Sequence, residues 1–514
     1  METLQRRDFL KLAGGITLTS FVAPDDLLAN DGSNFSDFKG MVVVDFQGGN
    51  DAMNMFIPSD DSTGISTGYE SYAKARSSAI RVKAKDLMGD LRAKVQNDGS
   101  LLLGTGSDNI YYDNNDIKKS YVSGFYRLNQ NGFSGKVAVN PLMPEVAYWL
   151  DRGNGAIIQN IGCISAPATK SDLRNRRVNL PPFIFAHNQQ SRLVRTGQAS
   201  SINVPTGWLG RAADKWDGLS YGNVYKMNIS LSQYGRYKMF FGNRTSPMAY
   251  SSGGPVKYVG DTTIHEQLAN AGQNDMFHSI YNKVDKSMIA QVNETIADWQ
   301  GVTGANEIFA GLKDSYGIEF YDANGRLKTP GGGEYGFNDR VNNSSAAFAT
   351  AARLLKIGKD KGFKRMVVSV TLGGFDQHST QSTTHSRRIR GFSLGVDRFM
   401  RSMEHLGMSN MVTLFTVSEF ARSTGSNSDG TDHAWGGAQL VLGGAVKGGD
   451  YGEYPDLTLG GDEDYSSKGR IIPSTSFTQY YATLLKWFGA DADVLNHALP
   501  ELKNFSTKNL GFMS

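Results

Sequence analysis

The stretch that most constrains the fold runs from Val412 to Gly449, VTLFTVSEFARSTGSNSDGTDHAWGGAQLVLGGAVKGG. It opens with an apolar, β-branched run, Val412 to Val417, which reads as a buried parallel strand. Glu419 stands at that strand's C-terminal end. A loop of Gly, Ser, Asn and Asp follows, and then Asp432-His433. A second strand, Gln439 to Leu442, closes on Gly443-Gly444 and Gly448-Gly449. In open α/β sheets ligands bind outside the carboxyl ends of the strands. Glu419, Asp432 and His433 are therefore expected on the functional edge of such a sheet.

The rest of the chain repeats this pattern. Met41 to Phe46 is an apolar strand interrupted only by Asp45, and it ends in Gln47-Gly48-Gly49-Asn50-Asp51. Glycines there let the backbone turn tightly and approach a ligand, and Asp51 stands where a metal-binding carboxylate would be useful. Gly-Asn-Asp is also ordinary turn chemistry. Pro141 to Gly153 reads as a helix feeding a strand at Ala156 to Ile161. A helix at Ser344 to Gly358 precedes a strand at Met366 to Thr371. That strand ends in Gly373-Gly374-Phe375-Asp376-Gln377-His378. The helix Ser386 to His405 then crosses over to Val412, and a last helix, Ser476 to Phe488, stops at Gly489. Strand–helix alternation of this kind indicates a parallel sheet with right-handed crossovers.

The 514 residues exceed what one hydrophobic core usually organises, so several domains or one large α/β domain with insertions are expected. Lysines and arginines number 53 against 50 acidic residues, a net charge of +3. That balance, with no basic cluster interleaved with aromatics, argues against nucleic acid as a partner. The single cysteine, Cys163, allows no internal disulfide and is expected to be buried. At the amino terminus, Gln5-Arg6-Arg7-Asp8-Phe9-Leu10-Lys11 is a twin-arginine pattern followed by a mild apolar segment, Leu12 to Ala23. The pair reads as a Tat export signal over 1–29, placing the protein in the periplasm or at the cell surface. An uncleaved leader could also serve as an anchor. Segment 219–339, with one long helical pattern at Asp275 to Trp299, reads as an insertion or lid. His265 and His278 lie in it without a ligand cluster.

Asp51, Asp376, His378, Glu419, Asp432 and His433 thus gather at strand ends. Carboxylates and histidines crowded together are costly unless a cation neutralises them, and oxygen with imidazole ligands suits zinc or a similar divalent ion. His187, in Phe183-Ile184-Phe185-Ala186-His187-Asn188, follows an apolar run and precedes a helix. The ordinary reading of such a histidine is a hydrogen-bonded core or cap residue.

As a set, FxGGNDxxN, FxHNxQ with TGWxGR, GGFDxH, SEFxR and TDHxxGGxxxVLGGxVKGG resemble the DUF1501 family. These are exported, sulfatase-like proteins of the alkaline phosphatase-like superfamily. The resemblance runs through nearly the whole mature chain in the family's order. It implies a three-layer α/β/α sandwich with a mostly parallel sheet and an inserted subdomain, its core split into 38–218 and 340–514. It implies hydrolysis of phosphate or sulfate esters with divalent metal, zinc first, calcium or manganese as alternatives. Mapped by motif, Asp376, His378 and His433 form a first metal site, Asp51 and Glu419 part of a second, and Asp432 belongs to the pair with His433. Arg211 or Arg422 binds the anion. A DUF1800-type exported protein is the partner that the family's gene neighbourhoods imply.

The sequence departs from the superfamily at two places. The strand end that carries Asp-His there reads Glu419-Phe420. The nucleophile stretch reads Ala186-His187-Asn188, with no hydroxyl until Ser191. Without a hydroxyl a covalent phospho- or sulfo-enzyme is hard to build. His187, assisted by Asn188, or a metal-bound water would have to replace it. The alternative expectation is a degenerate binding or assembly protein that keeps the fold, with one metal or none.

Overall fold

The computed structural model describes residues 35–82, 125–216, 228–231, 238–243, 245, 247–249, 309–314, 317, 319–322, 327–328 and 343–514. The 1–29 leader, His265, His278, the Asp275–Trp299 pattern and most of the expected insertion lie outside these residues.

Strands in chain order are β1 (Lys39–Phe46), β2 (Phe56–Pro58), β3 (Tyr126–Leu128), β4 (Val137–Val139), β5 (Gly155–Gly162), β6 (Asn228–Ser230) and β7 (Met248–Ala249). There follow β8 (Arg365–Leu372), β9 (Val412–Ser418), β10 (Arg422–Ser426), β11 (Thr431–His433), β12 (Gly437–Leu442), β13 (Gly449–Tyr451) and β14 (Thr475–Ser476). The helices are α1 (Tyr69–Ala75), α2 (Pro144–Asp151), α3 (Lys170–Arg174), α4 (His187–Thr196) and α5 (Trp208–Trp216). Then come α6 (Asn343–Asp360), α7 (Gln381–His405), α8 (Phe477–Trp487) and α9 (Ala492–Ala498).

The main sheet runs β13-β5-β12-β9-β1-β8-β6-β7, with β14 also paired to β5. At its centre β1 pairs in parallel with β8 and β9. Both faces of β1 are covered. Met41 and Val43 enter one apolar cluster, Val42 and Val44 the other. A strand covered on both sides reads as an unbroken apolar run, which is why it was visible in the sequence. On one face lie α2, α6 and α7, with Trp149, Phe348, Phe392 and Phe399. On the other lie α4, α5, α8 and α9, with Leu193, Trp208, Tyr480 and Val494. The chain is thus an α/β/α sandwich on a mostly parallel sheet.

One strand runs against the rest. β12 is antiparallel to both β9 and β5. No crossover helix separates β9 from β12, only a loop carrying the small β10–β11 hairpin, so the chain returns reversed. Two helix starts also differ from expectation. α2 begins at Pro144, not Pro141, because proline suits the first helical turn. α7 begins at Gln381, not Ser386, since the polar QSTTH turn hides helix from an apolar pattern. Cys163 is buried, as expected. Among the described residues no helix is long and apolar enough to cross a membrane.

Helices α2 and α7 are joined by a buried ion pair. Arg390 Nη1 donates to Glu145 Oε1 at 2.8 Å and Oε2 at 2.6 Å, and Ser393 Oγ also donates to this carboxylate, at 2.5 Å. Breaking such a pair leaves a charge uncompensated in the core. Glu145→Leu should therefore lower the unfolding free energy by about 3–5 kcal/mol, read from urea denaturation of the purified protein.

Candidate functional site

Register places the site. Phe46 stands opposite both Leu372 and Ser418, so β1, β8 and β9 end together. Their following segments, 47–51, 373–378 and 419–422, become neighbours. The approach is close enough to require glycine. At Gly48, φ is +114°, and a Cβ would lie 2.3 Å from the Asp376 amide nitrogen. The Gly48 amide instead donates to Glu419 Oε1 at 2.7 Å.

Arg422, fully buried, ties these loops together. Its Nε donates to Gly49 O at 2.8 Å, Nη1 to Thr431 O at 3.0 Å and Nη2 to Phe375 O at 3.1 Å. Nη2 also reaches the Gly48 carbonyl, and Asp376 Oδ1 at 2.5 Å.

Four side chains converge on that carboxylate. His187 Nε2 is 3.3 Å from Asp376 Oδ2, and His433 Nε2 is 3.2 Å from Oδ1. His378 Nε2 lies 3.0 Å from Asp376 Oδ1 and 3.0 Å from His433 Nε2. His187, Asp376 and His433 offer ligand atoms all within 4.8 Å of one another.

The outer nitrogens fix the tautomers. His433 Nδ1 donates to Phe185 O at 2.8 Å, and His187 Nδ1 to Glu419 Oε1 at 2.9 Å. In both neutral rings Nε2 then carries a lone pair turned toward the cluster. This carboxylate-or-carbonyl-to-histidine backing is how metal-binding imidazoles are oriented. His187 Nε2 is buried and, although within ion-pair distance of Asp376, has no hydrogen-bond partner. Donors bound to one tetrahedral zinc stand roughly 3.3 Å apart, given bonds of ~2.0–2.1 Å. The two histidines lie near that distance from Asp376, each from a different oxygen, while the three ligand atoms together lie within 4.8 Å, so a small cation would need them to draw together.

Charge follows geometry. Partial burial disfavours the Asp376 carboxylate, but Arg422 and His433 outweigh it and hold its pKa well below the usual range. The hydrogen bond to Glu419 raises the His187 pKa against the effect of burial. Burial is the largest influence on His433 and lowers its pKa, favouring the neutral ring that a metal requires.

His187 begins α4, with Ala186 as the N-cap residue and no side-chain cap. The preceding loop is strained, with φ of 53° at Phe183 and 70° at Phe185. It sets the Phe185 carbonyl against His433 and delivers His187 at the helix start. Asn188 is exposed on the first turn. His378 is about half exposed, its Nδ1 3.5 Å from Asp432 Oδ1. Asp432 accepts from Asn427 at 3.0 Å and stands at the rim.

Two expected residues stand apart. Asp51 is buried and held by Arg76 through both oxygens and by Gln381, so its carboxylate is committed to the frame rather than to the cluster. Arg211 donates to the carbonyls of Thr196 (2.6 Å), Thr206 (2.9 Å) and Ala498 (3.0 Å), clamping α4, α5 and α9. Arg422 is at the cluster, but as a latch between loops. Glu419 supports His187 from behind, and its Oε2 is buried without a hydrogen-bond partner.

Sequence reasoning missed His385. It is fully buried in α7, its Nε2 3.1 Å from Asn50 Oδ1. A histidine within a helix carried no sequence signal for that contact.

Residues 334–492 match the family described as protein of unknown function DUF1501. The resemblance to DUF1501 holds over this stretch, and the FxGGNDxxN, FxHNxQ and TGWxGR motifs lie before it. The DUF1501 stretch contains Asp376, His378, Glu419, Arg422, Asp432 and His433, while His187 lies before it. Among curated proteins no match was found. Among solved structures, the chain is similar to Ps i-CgsB in complex with k-i-k-neocarrahexaose, at 10% identity and a TM-score of 0.29. The similarity covers 70% of this chain and 71% of that one. It is also similar to the phosphonate monoester hydrolase SpPMH from Silicibacter pomeroyi, at 10% identity and a TM-score of 0.30, covering 68% and 69%.

Two outcomes follow. Asp51→Asn should destabilise the fold by about 3–5 kcal/mol by stranding Arg76, which paired urea melts would read. The second concerns pH. Burial, the largest cause, pushes the His385 pKa down to about 4 from 6.5. The unfolded chain then takes up a proton first, so this contribution to stability is complete above pH 6.5 and declines toward pH 4. It amounts to about 3 kcal/mol. His385→Gln should flatten the urea midpoint between those pH values.

Proposed function

We propose that the chain is an exported, metal-dependent hydrolase of phosphate or sulfate esters, with one divalent ion, zinc first, held by His187, Asp376 and His433. The observation that carries the reading is the pair of histidines whose Nδ1 protons are fixed by Glu419 and Phe185, leaving two Nε2 atoms turned on Asp376. His378 stands beside this set, its Nε2 3.0 Å from Asp376 Oδ1. A divalent ion in such a set supplies an activated water and a polarised ester oxygen.

The chain's own residues have definable tasks. Glu419 holds the Nδ1 proton of His187. Arg422 keeps Asp376 ionised and in register. The start of α4 presents uncapped amides and the positive end of a helix dipole, which favours an anion. Asn188, exposed on that turn, orients the ester. His378 is partly exposed and near Asp432, so it can carry a proton to or from the leaving oxygen.

No Ser or Thr hydroxyl among the described residues hydrogen-bonds to His187, Asp376, His378 or His433. Water is therefore the nucleophile in this reading. The same lack supports a second reading, a binding or assembly protein on this fold working with an exported partner. The leading reading expects near-stoichiometric zinc in the purified protein, lost in His433→Ala. Glu419→Gln should weaken zinc by about 10- to 100-fold. Ser191→Ala should keep turnover of aryl phosphate or aryl sulfate. A wild-type protein that takes up no zinc, manganese or calcium by elemental analysis would overturn the hydrolase and leave the binding protein.

A further inference from the structure

We propose that Arg470 binds the tetrahedral oxyanion of the substrate beside the histidine cluster. The inference deepens the hydrolase reading and rests on it for the substrate class.

Arg422, the arginine at the cluster centre, directs its Nε and both terminal nitrogens to backbone carbonyls and Asp376. Arg211 is committed to carbonyls elsewhere. Beside the proposed ion and the α4 start, neither of these arginines is left to receive a dianion, because Arg422 is already matched by Asp376.

Arg470 is held in place against the His433 backbone and the Phe185 ring. Its backbone is pinned by Asp464, a fully buried carboxylate. Asp464 accepts from the amides of Gly460 (2.9 Å), Ser466 (3.0 Å), Gly469 (2.8 Å) and Arg470 (3.0 Å). Its side chain makes two contacts. Nε donates to His433 O at 2.9 Å, and the guanidinium carbon lies 4.4 Å from the Phe185 ring centroid. Phe185 and His433 are the two residues whose mutual hydrogen bond sets the His433 tautomer.

These contacts use Nε and one face of the guanidinium. Among the described residues neither terminal nitrogen has a hydrogen-bond partner, and no carboxylate pairs with the group. The side chain is partly exposed. What remains is a planar fork of donors on an immobilised stem, the geometry that matches two oxygens of a phosphate or sulfate group. Fixing the stem beforehand lowers the ordering cost of binding.

The test titrates inorganic phosphate and, separately, sulfate into the full-length protein by calorimetry, with zinc measured on the same samples. Arg470→Met keeps length and an apolar contact to Phe185 but removes the fork. It should bind phosphate about 10- to 100-fold more weakly than wild type with unchanged zinc. Arg470→Lys, which keeps the charge and loses the fork, should fall between them. The phosphate and sulfate arms show which oxyanion the fork prefers. Equal phosphate affinity in wild type and Arg470→Met, or a wild type that binds neither anion at millimolar concentration, would overturn the inference. So would loss of zinc in proportion to loss of phosphate affinity, which would make Arg470 a clamp for His433 alone. A wild type without zinc that still binds phosphate through Arg470 would instead remove the hydrolase reading and keep the anion site.

Discussion

Everything at the carboxyl edge of the sheet depends on one buried cation. The Arg422 guanidinium bonds to carbonyls from the β1, β8 and β10–β11 segments, and Nη2, which reaches the Gly48 and Phe375 carbonyls, also takes Asp376. Parallel strands can end side by side without their loops being ordered. It is this hub that turns three adjacent strand ends into one rigid rim. Hydrogen bonds to a charged donor in a site screened from water are individually stronger than neutral ones, and here one of them ties Asp376 Oδ1 to the hub.

Around this hub the chemistry is layered. Asp376 with three imidazoles forms an inner group, backed by Glu419, the Phe185 carbonyl and Asp432. Glu419 is brought there by the sheet register, whereas the Phe185 carbonyl comes from a segment outside the sheet. His187 and Phe185 arrive on the strained entry to α4, far in sequence from β8 and β9. The centre is thus shared by both halves of the fold, and neither half holds it alone.

The central strands were legible because burial on both faces leaves an unbroken apolar run, and the glycine-rich ends were legible because tight turns demand glycine. The strand-end residues Asp376, His378, Glu419 and His433 were found on that basis, and they do converge. Side-chain commitments were not legible. Asp51 and Asp376 look alike in sequence, each an acid after a glycine pair, yet Asp51 meets Arg76 from α1's end, a partner with no motif. Arg211 sits in a motif but faces carbonyls, because α9 packs over it. The reversal of β12 followed from a missing crossover helix. Arg470 and His385 lie in segments with no pattern of their own, so only the folded chain shows what they touch.

The way Arg422 and Asp376 neutralise each other bears on how the protein comes into being. In small zinc modules the ion is the organiser, and the apo chain is unfolded. Here the most buried charge of the rim already has its counter-ion from within the polypeptide. The loops also meet only after β1, β8 and β9 have aligned across more than 300 residues of chain. The rim can close only once these strands are paired, and pairing between segments so distant in sequence is intrinsically slow. A frame closed by its own charges would not owe its shape to the ion proposed for it.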